Sequence, residues 1–474
     1  MDIAKSFRTG ILYNALGKYS NVIIQLLVTS ILSRMLTPKE YGLVAVVNVF
    51  LIFFQMIADS GIGPAIIQEK SLTKQDIQHI FSLTIYIGIF LSILFVFLGI
   101  PLSYLYKNQI YINLSFWLGL CVLFYSLSIV PQAILSKKLR FKNINISVIF
   151  SNLVSAILGI TLAYLGLGVY SLIGMNIIKA ALLFIMYYSQ ERIPFSFKSS
   201  KNSIAKIFEF SKFQFLFNLI NYFARNLDNL LIGSVINSTA LGYYDKAYQL
   251  SLYPNQVLSQ VLTPAIHPIM SNFSSDKEKM ARVFIIISRI MITLGVPISI
   301  FLFCNATDII LFMFGNQWKQ SIPIFKILSL TIWLQMANSF LGTFFQATNN
   351  TKQLFRMGIV TSVINILAII IGIMLKDVKT VAIMLTISFS LVLIISLTSL
   401  HRLFHFSYKQ YLFIIFKQFI IMIPYVIINK LFILNSHSNF INLMIQAFIF
   451  MIVWLAGLII TKEIHQLRNI LKFY

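Results

Sequence analysis

Residues 214 to 264 read QFLFNLINYFARNLDNLLIGSVINSTALGYYDKAYQLSLYPNQVLSQVLTP. The first part of this stretch is mostly Phe, Leu and Ile, and it is long enough to enter a bilayer, which takes about 20 apolar residues. Arg225 and Asp228 nevertheless lie well inside it. A charged side chain near the bilayer centre costs about 3 kcal/mol on insertion scales. The stretch is therefore predicted to be a membrane helix whose polar residues face protein or a watery cavity.

The polar residues of this helix are predicted to share one face. With about 100° of rotation per residue, a narrow stripe collects Gln214, Asn218, Asn221, Arg225 and Asp228. Two interpretations of the charges remain open. Arg225 and Asp228 are three residues apart and can pair to hold helices together, or the arginine lines a cavity.

A similar pattern occurs earlier in the chain at an offset of 200 residues. The stripe residues Gln214, Asn218, Asn221 and Arg225 align with Asn14, Lys18, Asn21 and Gln25. Gly42 aligns with Gly242, and the tripeptide Pro-Ala-Ile recurs at 64–66 and 264–266. Matches in a common register predict two homologous halves, which is how many secondary transporters are built.

The composition places the chain in a membrane. Of 474 residues, 58% are hydrophobic and 11% are charged, whereas soluble domains carry about 25% charged residues. The net charge of +23 comes from Lys and Arg in short loops between apolar segments, which indicates membrane topology rather than a nucleic-acid partner. Cys121 and Cys304 lie in apolar segments and are expected to be free thiols, with no disulfide framework and no metal spacing.

We expect an all-α polytopic membrane protein with about fourteen transmembrane helices. The predicted spans are 11–35, 41–66, 79–105, 111–135, 144–166, 169–189, 208–235, 243–270, 282–306, 322–346, 354–375, 380–400, 411–433 and 441–461. The longest hydrophilic connection, Gln190 to Lys206, is rich in Ser and Lys and is interpreted as a linker between the halves.

The loop charges predict the orientation. If the N-terminus is cytoplasmic, the inner segments hold roughly 22 Lys and Arg and the outer loops hold roughly 6. Because basic residues concentrate on the cytoplasmic side, both termini are expected in the cytoplasm and the number of spans is expected to be even.

Several sequence blocks resemble the multidrug/oligosaccharidyl-lipid/polysaccharide exporter superfamily, and most closely its Wzx-type oligosaccharide flippases of lipopolysaccharide, capsule and teichuronic-acid export. The order and spacing of the blocks carry the resemblance, since no single block is specific. They are TPKEYGL at 37–43, ADSGIGPAIIQ at 58–68, LRFK at 139–142, GLGVYSL at 166–172, RNLDNLLIG at 225–233, LGYYDKAY at 241–248 and FGNQW at 314–318, with Pro323 following.

The resemblance implies two pseudo-symmetric six-helix bundles, 1–190 and 207–400, that face each other across a central cavity. A cytoplasmic linker, 191–206, would join them, and two additional helices with a cytoplasmic tail would follow at 401–474. It also implies a polyprenyl-diphosphate-linked oligosaccharide as substrate, alternating access as mechanism and the bacterial cytoplasmic (inner) membrane as location. Membrane lipids, and also a polysaccharide polymerase and glycosyltransferases, are the expected partners of a monomer.

The charges within the predicted spans are mostly positive. Among them are the cations Lys18, Lys179, Arg225 and Arg289, with Asp59 and Asp228 as the clear acidic members. A cavity lined by excess cations suits an anionic ligand such as a diphosphate, which Arg can bind through two parallel hydrogen bonds. Neutral amides suited to sugar hydroxyls are provided by Asn21, Gln25, Asn218 and Asn221.

Arg289 and Asp59 are also compatible with structural roles. Arg289 lies near the cytoplasmic end of its span and can extend to lipid headgroups instead of a cavity. Asp59, beside Gly61 and Pro64, can cap a broken helix, mark a hinge or bind an ion, since broken backbone within a membrane needs partners.

Competing function classes explain less of the sequence. An enzyme is not expected, because the 14 Asp and Glu lie mostly in loops and no phosphate-binding glycine loop or metal cluster is present. No cofactor is predicted, and a coupling ion, H⁺ or Na⁺, stays unspecified. An ion-coupled multidrug antiporter of the same superfamily is the main alternative, but it would use membrane acids. A purely structural scaffold leaves the polar stripes unexplained.

Overall fold

The computed structural model describes residues 3–59, 61–196, 222, 226–272, 276–348, 350–431 and 438–464, and their side chains except at 3–16, 259–272 and 351. Within these ranges the backbone forms helices joined by short turns, with no β-strand. The chain divides into two compact units, Met1–Gly242 and Tyr243–Tyr474. The predicted all-α class is confirmed, while the predicted domain boundaries at 190, 206 and 400 stay a prediction.

The helices of the first unit follow the apolar runs closely. They are α1 Ile3–Met35, α2 Pro38–Asp59, α3 Ile62–Gln68, α4 Lys74–Leu105, α5 Ile110–Lys137, α6 Phe141–Tyr164 and α7 Val169–Gln190, followed by a π-helical turn at Ile232–Ile236. The next helix, α8 Ser238–Asn272, begins at the end of this unit.

The helices of the second unit are shorter in its middle part. They are α9 Lys277–Cys304, α10 Ala306–Phe314, α11 Ser321–Ser329, α12 Ile332–Asn338, α13 Leu341–Ala347, α14 Thr351–Met374, α15 Val378–Phe404, α16 Tyr408–Leu431 and α17 Asn439–Ile460. The predicted span 322–346 is thus three short helices, and α10 lies where a plain outer loop was expected.

Ten of the described helices are long and apolar enough to cross a membrane, or eleven if the pair Ser321–Ser329 and Ile332–Ala347, bent by 40°, is one span. The predicted spans 11–35 and 243–270 correspond to α1 and α8, which have 33 and 35 residues but are not among these ten. The predicted span 208–235 lies mostly outside the described residues. The count of fourteen therefore stays a prediction.

Helices α2 and α8 begin in the same way, 200 residues apart. The Thr37 hydroxyl accepts the backbone N–H of Glu40 at 3.3 Å, and the Glu40 carboxylate accepts the backbone N–H of Thr37 at 2.7 Å. This is a capping box, which satisfies free donors at a helix start. At α8 the Asn237 side chain accepts the backbone N–H of Ala240 at 2.8 Å. The repeat read from the sequence thus extends to the N-cap position.

Glycines in the first turns of α2 and α8 bring the two backbones into contact. A Cβ added at Gly42 would lie 1.7 Å from the carbonyl oxygen of Ser238, and one added at Gly242 would lie 1.9 Å from that of Pro38. The contact is reciprocal and both glycines belong to the first unit. Because no side chain fits at these distances, only glycine allows this approach.

The core of the second unit is built around aromatic rings. Phe284 of α9 contacts Phe406 and Tyr411, with ring centroids 4.4 Å and 5.9 Å apart, and also Phe340 and Phe344 of the broken span. By contrast, α16 and α17 expose large apolar side chains such as Phe416 at 69% and Phe448 at 69%. Such surfaces are stable against lipid tails and would be unfavourable in water.

Candidate functional site

Helix α1 presents an open polar face. Lys18 and Gln25 are seven residues apart, so they share one side of the helix, and both are exposed. Neither side chain makes a hydrogen bond or ion pair with the described part of the chain. This face therefore carries a cation and an amide that are free to contact a ligand.

Two other faces of α1 have different surroundings. Asn21, predicted to line the cavity, accepts a hydrogen bond from the Asn152 amide of α6, and Gly17 lies against Asn145 of the same helix. On the side roughly opposite Lys18, exposed apolar residues form a lipid-type surface: Ile23, Leu27 and Ile31. The polar stripe of α1 is thus divided between an open face and a seam with α6.

The open face of α1 is covered toward its C-terminal end. Lys18 and Gln25 are exposed, whereas Leu32 is 1%, Ser33 0% and Leu36 2% exposed. The helix therefore borders open space along its middle and packed protein at its end.

Lys179 lies in the middle of α7 and is partly buried. It makes no hydrogen bond or ion pair within the described ranges. An ammonium without a partner in an apolar helix is costly unless it reaches water or an anion. Its role as a cavity residue stays a prediction.

The seventh predicted span can be assessed only at its end. Asn218, Asn221 and Arg225 lie outside the described residues. Asp228 is 2% exposed, and its carboxylate accepts the backbone N–H of Asn229 at 2.8 Å. A buried and hydrogen-bonded carboxylate is consistent with a structural role for this acid.

Asp59 lies at a break between α2 and α3. Its carboxylate accepts the backbone N–H of Gly63 at 3.2 Å. Gly61 adopts a left-handed conformation with φ 78°, which favours glycine, and Pro64 is exposed in the first turn of α3. The capping interpretation accounts for this geometry. Among the described residues, no three His, Cys, Asp or Glu side chains are grouped to hold a metal ion.

Arg289 is held by an acid that lies far from it in the sequence. Its guanidinium Nη1 lies 3.1 Å from the Glu463 carboxylate. Lys417 of α16 binds the same carboxylate at 2.9 Å and also donates to the carbonyl of Thr461 at 2.7 Å. Glu463 is 1% exposed. Two cations thus share one buried carboxylate, which we call the C-terminal ion cluster: Arg289, Lys417 and Glu463.

A further buried pair of charges lies in α8. Asp245 and Lys246 are 7% and 5% exposed, and Asp245 accepts a hydrogen bond from the Gln249 amide at 2.7 Å. Both residues belong to the LGYYDKAY block, but no role was predicted for them. The presence of two charges inside the predicted span 243–270 is the sequence feature that could have indicated them.

The basic loop after α5 is folded against its neighbours. Lys137 donates to the carbonyls of Ile66 and Glu69 at the end of α3, at 2.8 Å and 2.6 Å. Lys138 and Arg140 bind Glu191, with shortest distances of 2.6 Å and 3.1 Å. These basic residues therefore stabilise the ends of neighbouring helices, in addition to any effect on the orientation of the protein in the membrane.

The chain matches one family model and is similar in sequence to proteins of polysaccharide biosynthesis. The family model described as "Polysaccharide biosynthesis protein" matches residues 31–323. The chain is 25% identical to the teichuronic acid biosynthesis protein TuaB of Bacillus subtilis over 337 residues, covering 69% of this chain and 68% of TuaB. It is 20% identical to the lipopolysaccharide biosynthesis protein WzxC of Escherichia coli, covering 90% of this chain and 88% of WzxC.

Solved structures share the fold at low identity. The lipid II flippase MurJ in an inward closed conformation superimposes with a TM-score of 0.76 at 16% identity, covering 96% of this chain and 99% of MurJ. An inward-facing MATE family multidrug resistance transporter gives a TM-score of 0.61 at 13% identity, covering 81% and 94%.

The apolar helices and the family match agree on a multi-pass membrane protein. The family match covers more than half of the chain, and the relatives span most of its length. The chain belongs to the polysaccharide biosynthesis protein family.

Proposed function

We propose that this protein moves a polyprenyl-diphosphate-linked oligosaccharide across the cytoplasmic membrane for the assembly of a surface polysaccharide. The path is a cationic cavity with alternating access. Its relatives act in teichuronic acid and lipopolysaccharide biosynthesis, and a lipid II flippase has the same fold. The proposal extends these similarities to the substrate class and the mechanism.

The observation that carries the proposal is the open polar face of α1. Lys18 and Gln25 are exposed and unpaired within the described part of the chain, on a helix whose opposite side is apolar. A cation next to an amide fits a diphosphate followed by sugar hydroxyls.

Membrane potential favours export of such a substrate. A charge that crosses the full potential gains or loses about 2.3 kcal/mol per 100 mV. Because the cell interior is negative, an anionic headgroup is driven outward. Cations at Lys18, Lys179 and Arg225 would compensate the diphosphate during the crossing, while the lipid tail stays in the bilayer.

The test uses surface polysaccharide in cells that lack their own transporter, with protein abundance checked by immunoblot. Arg225→Ala should abolish export at normal abundance. Arg225→Lys should restore export only in part, because lysine lacks the paired hydrogen bonds of a guanidinium. Full export by Arg225→Ala would contradict a cationic cavity that includes Arg225.

The main rival is an ion-coupled multidrug antiporter, since MATE transporters share the fold. Such a protein needs membrane acids to bind H⁺ or Na⁺. Asp59→Asn and Asp228→Asn separate the two functions: each should leave most of the export intact if both acids are structural. Loss of export in either variant, together with drug efflux by the native protein, would favour the antiporter.

The proposal includes fourteen spans with both termini in the cytoplasm. A cysteine placed near Gly168 or Asn237 should react with an impermeant thiol reagent added outside the cell. A cysteine near Lys138 or Ser199 should react only after the membrane is opened. The reverse pattern would contradict the proposed orientation.

A further inference from the structure

The C-terminal ion cluster has unused hydrogen-bonding capacity. A guanidinium has five N–H donors, and only Nη1 of Arg289 bonds to Glu463. Its Nε and Nη2 groups make no hydrogen bond to any residue that the structure describes. Lys417 uses two of its three donors, on Glu463 and Thr461. The cluster therefore combines an excess positive charge with free donors.

The cluster opens onto a lipid-type surface. On α16, Lys417 lies four residues after Phe413 and three residues before Ile420, so the three side chains share one face of the helix. Phe413 is 64% and Ile420 is 57% exposed, which is typical of side chains that contact acyl chains. On α17, Ile459 and Ile460 are 63% and 80% exposed, directly before the carbonyl of Thr461 that Lys417 binds.

The placement of the charges also fits a headgroup. Glu463 follows the end of α17, and Arg289 and Lys417 lie in the N-terminal halves of α9 and α16. Their side chains are 12% and 14% exposed, so the cations are shielded without being sealed. Two positive charges on one carboxylate, beside an apolar surface, match a ligand with one anionic group and long apolar tails.

We propose that the C-terminal ion cluster is a binding site for the phosphate of an anionic phospholipid of the bilayer. The free donors of Arg289 bind the phosphate oxygens, and Lys417 adds charge. The acyl chains lie along the exposed faces of α16 and α17. Glu463 holds both cations in position when the lipid is bound. Its residues belong to the second unit, whereas the open face of α1 belongs to the first.

The experiment measures the unfolding midpoint of the purified full-length protein in nanodiscs. One preparation contains phosphatidylcholine alone, and the other contains equal parts of phosphatidylcholine and phosphatidylglycerol. The native protein should unfold at a higher temperature in the mixed lipid. Arg289→Gln should lose most of this increment. The matched control Arg282→Gln removes a charge from an exposed position of the same helix and should retain the increment.

Two further outcomes would overturn the proposal. An equal drop of Arg289→Gln in both lipids, with the increment unchanged, would show a purely structural cluster and overturn the proposal. Inorganic phosphate added to the phosphatidylcholine preparation should not reproduce the increment; if it does, the site binds free phosphate and the lipid proposal is overturned. If Arg289→Gln fails to fold, Lys417→Gln replaces it with the same expected loss. Transport is not measured, so failure here leaves the proposed flippase function standing.

Discussion

Two pairs of cations in the described helices differ in their partners. Lys18 on α1 and Lys179 on α7 make no ion pair within the described chain. Arg289 and Lys417 share the buried carboxylate of Glu463. Cations in apolar helices are thus paired with a carboxylate in one case and have no carboxylate partner among the described residues in the other.

This difference separates two uses of a cation in a membrane. A shielded cation with its own carboxylate is part of the protein's internal structure and needs an external anion only for its excess charge. A cation without a carboxylate requires water or a ligand for its stability. Lys18 is therefore the better candidate for substrate contact, and Arg289 is the better candidate for assembly of the C-terminal helices.

The largest expected effect comes from Glu463→Gln. Removal of this carboxylate leaves Arg289 and Lys417 close together with no anion between them, and the loss of one partner of a buried ion pair costs about 3–5 kcal/mol. The protein should unfold at a much lower temperature and accumulate poorly in membranes. Thermal unfolding in detergent, followed by fluorescence, measures the change.

A matched control for this variant is Glu278→Gln. Glu278 is 87% exposed and pairs with Arg282 at 3.9 Å on the surface of α9. Because exposed ion pairs contribute about 0–1 kcal/mol, the control should unfold close to the native protein. Equal stability of both variants would show that the buried cluster does not hold the C-terminal helices.

Lys18→Ala is expected to have an intermediate effect, on transport only. A hydrogen bond to a charged group contributes about 1.5–3 kcal/mol, and each 1.4 kcal/mol is about tenfold in an equilibrium, so export should fall about tenfold. Stability should stay unchanged, because Lys18 is exposed and unpaired in the described structure. Lys39→Ala, at an exposed position near the start of α2, should export normally. Loss of stability in Lys18→Ala would place Lys18 with the structural cations.

The smallest effect is expected for Asn21→Ala, which lies on the seam of α1 and not on its open face. The lost hydrogen bond to Asn152 should cost about 0.6 kcal/mol, the average for interhelical hydrogen bonds in a membrane protein. A double-mutant cycle with Asn152→Ala isolates this coupling. An export defect as large as that of Lys18→Ala, at normal stability, would instead show that Asn21 contacts the substrate.

Hydropathy predicted most helices because each needs about 20 apolar residues. The predicted span 169–189 compares with Val169–Gln190, and 380–400 compares with Val378–Phe404. The break within 322–346 was missed, because α11, α12 and α13 lie in one stretch that is apolar on average and holds only a few polar residues, such as Lys326 and Gln335. Nothing in its composition distinguishes a straight helix from one bent by 40°.

The candidate site was predictable in part. Helical periodicity places Lys18 and Gln25 on one face of α1, since it depends only on spacing, and the contact of this face with a substrate stays a prediction. It could not show that Asn21, at the edge of that stripe, faces α6. The partner of Arg289 is 174 residues away along the chain, and such a pairing depends on tertiary packing. A sequence gives no direct sign of such distant contacts.

The contact between Gly42 and Gly242 has a consequence for how the two halves can evolve. Each glycine faces a backbone carbonyl of the other helix, at 1.7 Å and 1.9 Å from where a Cβ would lie. The atom in the way is a backbone carbonyl, which every residue has. A larger residue in one helix therefore cannot be compensated by a smaller residue in the other. Proteins that keep this contact between α2 and α8 must therefore keep glycine at both positions.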